Sequence, residues 1–75
     1  MKNENTKKEL TLTEIRAAFR EMRLTGGDFL RNLGWAGLYA DESNRNKIVD
    51  AFRSEIETYA IKAEAKLKRR QNDEQ

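Results

Sequence analysis

Apolar side chains recur three and four residues apart in three stretches of the chain, the period of helices that turn one face to a core. In the first stretch Leu12, Ile15, Phe19 and Met22 share a face, with Ala18 beside them. Thr11 stands where an N-cap belongs and Glu14 follows three residues later, which makes a capping box. Leu10 before the cap can pack on Ile15 as a hydrophobic staple. Leu24 and Thr25 close this element, and Gly26 suits a left-handed position after its end. The spacing predicts a helix over 12–24.

Gly26-Gly27 reads as a turn, with Thr25 or Asp28 able to cap a second helix over 28–40. Placed at about 100° per residue, Phe29, Leu30, Leu33, Ala36, Gly37 and Ala40 fall on one side of it. Trp35, Leu38 and Tyr39 fall on the other. A surface helix in a small protein carries one apolar stripe. The second cluster therefore needs a partner: another part of the chain, a second copy or a different molecule. Gly34 and Gly37 lie inside this helix, each at a propensity cost on the order of 1 kcal/mol relative to alanine. With Ala40 they form a small-residue strip that lets another backbone come close, the third helix being the first candidate. The alternative is a kink at Gly34.

Asp41 or Ser43 can cap a third helix over 43–69, which contains no Gly or Pro. Ile48, Val49, Phe52, Ile56, Tyr59, Ala60, Ala63 and Leu67 mark its apolar side, part of it spaced like a coiled-coil seam. Such a helix would be roughly 40 Å long, about twice the first two, so its end should project. No segment alternates with period two. The pattern predicts an all-α fold, a three-helix module with a long C-terminal helix. Its expected core is Ile15, Phe19, Met22, Phe29, Leu33, Phe52 and Ile56. Residues 1–9 and 71–75 are polar and expected to be disordered, leaving 10–70 as a single helical domain.

Composition narrows the chemistry. A chain of 75 residues supports one marginal core. It has no cysteine and no histidine, which removes disulfides, thiolates and the commonest metal ligand and general base. Glu55 and Glu57 are two apart on a helix and point to different sides, and Ser43 and Ser54 have no base to activate them. Asp41 to Phe52 looks acidic but lacks the turn glycine and bidentate acid of a calcium loop. Gly26-Gly27 lacks the lysine and further glycine of a phosphate loop. The expectation is a protein that is not an enzyme and holds no metal or cofactor. Met1 to Lys8 contains no apolar region, and no apolar run approaches the roughly 18 residues of a membrane span. The expected compartment is therefore the cytoplasm, with no membrane partner.

Lys and Arg number 15 against 13 Asp and Glu, a net charge of only +2. Arg16, Arg20 and Arg23 nevertheless share one edge of the first helix, and Lys62, Lys66, Arg69 and Arg70 nearly do the same at the end of the third. Either row could contact phosphates. The plainer reading is a solvated face with cross-helix pairs to Glu55 and Glu57, and cations well placed at a helix C-terminus. The second helix is too apolar to read base edges in a groove.

The run Phe29-Leu30-Arg31-Asn32-Leu33, then Ala40-Asp41, Asn44, Ile48, Ala51-Phe52 and Tyr59, resembles a pattern in small uncharacterised helical proteins of phages and other mobile elements. The likeness covers residues 29–59. That family often has proline after the Phe, whereas here Arg53 follows and the helix is expected to continue. The resemblance carries no catalytic residue. It implies a mobile-element setting, in the host cytoplasm, where small proteins often act by binding host or phage components.

Together these features predict a non-enzymatic helical protein-binding module. It is expected to self-associate through the third helix or the Trp35 face, and to act as an inhibitor or adaptor of a host or phage protein. Trp35, Leu38 and Tyr39 are the candidate partner-binding residues, because buried aromatic area dominates interface energetics. The alternative is a nucleic-acid-binding accessory protein using Arg16, Arg20, Arg23, Lys62, Lys66, Arg69 and Arg70. A purely structural assembly protein ranks third.

Overall fold

A computed structural model describes the backbone of residues 9–73 and the side chains of residues 9–70. The rest of the ends expected to be disordered, residues 1–8 and 74–75, lies outside the described residues. The fold is all-helical. Among the described residues it comprises α1 (Leu12–Thr25), α2 (Asp28–Tyr39), α3 (Glu42–Ala51) and α4 (Arg53–Asp73).

The start of α1 is as the sequence predicts. The Thr11 hydroxyl accepts from the Glu14 N–H at 3.1 Å, and the Glu14 carboxylate accepts from the Thr11 N–H at 2.9 Å. Its end differs. Gly26 has φ −77° and is not left-handed. The position needs glycine because a Cβ would lie 2.6 Å from the Met22 carbonyl oxygen and 2.8 Å from the Leu30 Cβ. Neither Thr25 nor Asp28 caps α2, whose N-cap is Gly27 with no side-chain bond. The Thr25 hydroxyl turns back to Glu21, and Asp28 pairs with Arg31 at 2.8 Å. Asp41 caps α3, accepting from the Asn44 N–H at 2.9 Å.

α2 runs unbroken through Gly34 and packs antiparallel on α1. Gly26 lies by Leu30, Gly34 by Met22 and Arg23, and Gly37 against the Phe19 ring. The glycine strip therefore receives α1, not the third helix. A Cβ at position 34 would meet the Phe19 carbonyl oxygen at 2.5 Å and the Arg23 nitrogen at 2.9 Å. One at position 37 would enter the Phe19 ring. Close approach brings both backbones into dispersion contact, which offsets the helix propensity that glycine forfeits.

The single third helix expected over 43–69 is instead two, α3 and α4, broken at Phe52, where φ is −123° and ψ is 36°. No Gly or Pro marks the break. Packing goes with the break: α4 lies along α1, whereas α3 leaves that line, touches only its chain neighbours α2 and α4, and turns Val49 into the core. The break keeps the Phe52 N–H bond to the Ile48 carbonyl and the Ile56 N–H bond to the Phe52 carbonyl, so few backbone bonds are given up.

Ala18, Phe19, Met22, Val49 and Ile56 form the buried core, with Ile15, Leu33 and Phe52 among the partly buried residues around it. Phe29 is a correction, since it is 61% exposed. The buried face of α2 centres on Gly34 and Gly37, which leaves Phe29 on the flank. There its ring tilts onto Phe52 with centroids 5.6 Å apart. The extents are 40 × 37 × 21 Å, a slab about two helix diameters thick. A slab of that thickness has little interior and many helix faces open to solvent.

Candidate binding surface

The face of α2 opposite its glycines carries Trp35 and Tyr39. Four residues apart on one helix, their side chains meet. The rings stack with centroids 5.6 Å apart and planes 9° from parallel. Tyr39 is 79% exposed and Trp35 41%. Leu38, the third member expected here, is half-buried and packs against the core. The apolar surface that faces outward is thus an aromatic pair.

Arg23 joins it from α1. Its guanidinium lies 4.6 Å from the centre of the Trp35 ring, a cation–π contact. Its Nε is buried and has no hydrogen-bond partner. The Trp35 ring and the buried stem hold the guanidinium in one place, with its terminal nitrogens left to offer a planar pair of donors. The antiparallel register sets Arg20 and Arg16 level with Ala36 and Ala40, so the row expected from sequence runs beside the aromatic pair. Both side chains are exposed and make no ion pair among the described residues.

The second basic row has other tasks. Lys66 reaches across to Glu21 of α1, with Nζ 3.0 and 2.9 Å from its two carboxylate oxygens. Lys62 lies over the Tyr59 ring at 4.5 Å. Arg69 and Arg70 are exposed at the end of the row. The cross-helix pair uses Glu21, whereas Glu57 pairs within α4, with Arg53 at 3.4 Å. The second row thus binds back to α1 through Lys66 and to its own helix through Lys62.

Glu21 escapes sequence reasoning. It is 6% exposed, and besides Lys66 it accepts from the Thr25 hydroxyl at 3.1 Å. The only trace in the sequence is an acid next to the apolar Met22, with a lysine-rich helix elsewhere in the chain. Lys66→Ala would leave the buried carboxylate with the Thr25 hydroxyl as its remaining side-chain partner. The expected cost is about 1–2 kcal/mol, as for a buried charged group losing a hydrogen bond. Urea unfolding checks this, and adding Glu21→Gln to the variant should recover part of the loss.

Among the described residues no three His, Cys, Asp or Glu side chains gather as metal ligands would. No described helix is long and apolar enough to cross a membrane. The arrangement can do one kind of chemistry well: it can hold a flat or apolar group on Trp35 and Tyr39 and an anionic group on the arginines next to them. No family model, curated protein or solved structure matches the chain.

Proposed function

We propose that this chain is a non-enzymatic protein-binding module whose contact surface is the Arg23–Trp35–Tyr39 stack with Arg16 and Arg20 beside it. The observation that carries the reading is the exposed aromatic pair on α2, directly opposite a face already committed to α1. Large aromatic area held rigid by stacking is costly to leave in water and loses little conformational freedom on binding. The arginine row gives the partner a chemistry: an acidic segment with an apolar or aromatic anchor. Complementary charge would then set the association rate, and burial of the rings most of the affinity. The likeness of residues 29–59 to small phage proteins supports an inhibitor or adaptor of a host or phage protein, acting in the cytoplasm.

A second reading has its own support. Aromatic rings that stack bases beside cations that hold the backbone are also how proteins bind single-stranded nucleic acid. The two readings separate on the full chain used as bait in a lysate, with nuclease treatment as a branch. Protein binding predicts that capture survives nuclease and that Trp35→Ala weakens it by about 2 kcal/mol or more. In that case Arg16→Ala with Arg20→Ala acts mainly on the association rate. Capture that vanishes with nuclease and falls steeply with salt would establish the second reading instead. Capture of the same partner by Trp35→Ala at unchanged affinity would overturn both.

A further inference from the structure

We infer that the partner brings a helix to the α1–α2 face, with an acidic edge along the arginines and an adjoining apolar edge along Trp35 and Tyr39. Such a helix presupposes the protein-binding reading of this face. Two rows of unlike chemistry run side by side here. Arg16, Arg20 and Arg23 follow one another at spacings of four and three on α1, and Trp35 and Tyr39 are four apart on α2. The 4.6 Å contact of Arg23 with Trp35 joins the rows. Leu12 stands one turn before Arg16 on the same edge and is 46% exposed, so the arginine row begins on an apolar side chain.

Two adjoining rows distinguish a helix from a strand. The glycine contacts between α1 and α2 fix the helices against each other, and so hold the rows alongside one another. A strand turns alternate side chains the same way and lays down a single line of contacts. It could follow the arginines or the rings, but not both. A helix presents a stripe wider than one side chain, in which residues three and four apart form adjoining lines. Acids in one line and apolar residues in the next match α1 and α2 together. From Leu12 to Arg23 the surface extends roughly 16 Å, about three turns of such a helix.

Charge points to a foreign helix. Arg16 and Arg20 have no ion pair among the described residues and are free to take one. A second copy is a poor source of acids for them. Glu57 and Glu64 on α4, Glu21 on α1 and Asp28 on α2 are each held by a cation of their own chain. Carboxylates of a different protein would reach Arg16 and Arg20 without breaking such pairs. Arg23, fixed on Trp35, would add its terminal nitrogens at the end of the row.

Two synthetic peptides of one composition, both without tryptophan, test this on the full chain. In the first, glutamates at spacings of three and four form one edge of a helix and leucines the adjoining edge. In the second the same residues alternate, as a strand requires. Trp35 is the only tryptophan in the chain, so its emission reports contact. The helical peptide should bind at least about tenfold more tightly than the alternating one and gain helical circular dichroism in the complex. Arg16→Glu with Arg20→Glu should weaken its binding by about tenfold or more, and Leu12→Ala should weaken it severalfold. The chain's own helical signal should persist in these variants, because all three side chains are exposed. Tighter binding of the alternating peptide would overturn the helix and leave the acidic-segment reading standing. Emission unmoved by either peptide at about 1 mM would also overturn it, and capture from the lysate then decides the protein-binding reading separately. Self-association of the chain that Trp35→Ala abolishes would give the face to a second copy and overturn the inference.

Discussion

Phe19→Ala is expected to bring the chain close to the unfolding threshold. Phe19 is fully buried, and its ring fills the space that Gly37 leaves between α1 and α2. Truncating a buried phenylalanine costs about 3–5 kcal/mol in lost transfer energy and residual cavity. The chain has 75 residues, and at about 0.05–0.15 kcal/mol per residue its whole stability is roughly 4–11 kcal/mol. The core offers little to absorb the loss, since among the described residues only Ala18, Met22, Val49 and Ile56 are buried apolar residues beside it. Urea titration followed by circular dichroism should show the midpoint falling most of the way to zero denaturant. A loss below about 1 kcal/mol would mean that Phe19 is not the centre of the core.

Gly34→Ala should destabilise the protein, against the usual sign for a helix. In an exposed helix interior, glycine to alanine is worth about 1 kcal/mol of stabilisation. Here the new Cβ would stand 2.5 Å from the Phe19 carbonyl oxygen and 2.9 Å from the Arg23 nitrogen. Those are backbone atoms of another helix, and they cannot rotate aside. Separating α1 from α2 should cost about 1–3 kcal/mol, as overpacking does. Gly27→Ala is the comparison, because nothing lies within 4 Å of a Cβ there. Its cost should be the smaller one of a poorer N-cap residue, under about 1 kcal/mol. Equal effects at the two positions, or a gain at Gly34, would show that α1 and α2 are not in close contact.

The candidate surface was partly legible from spacing. Trp35 and Tyr39 are four apart and opposite the glycine face, so a helical projection finds them outside. The same projection puts Leu38 with them, because at the margin of a stripe an angle does not tell whether a neighbouring helix arrives on that side. Arg23 shows the converse. Its place in a row of arginines predicts a solvated edge, and only the register between α1 and α2 lays it over Trp35. Glu21 leaves almost no sequence signal, since Lys66, the cation that meets it, lies 45 positions away.

By itself the sequence determined the helical class, the start of α1 at its capping box, a cap for the third helix at Asp41 or Ser43, and the burial of Phe19, Met22 and Ile56. These rest on forces within a few residues: hydrogen bonds from caps to nearby backbone, and a period that gathers apolar side chains on one face. Tertiary structure alone decided which helix enters the Gly34–Gly37 strip, and it exposed Phe29. It also divided the long third helix at Phe52. A run without Gly or Pro favours continuation locally by small increments per residue. Turning α3 off the line of α4 puts Val49 and Ile56 in a common core, and burial of that size outweighs the few hydrogen bonds a break gives up.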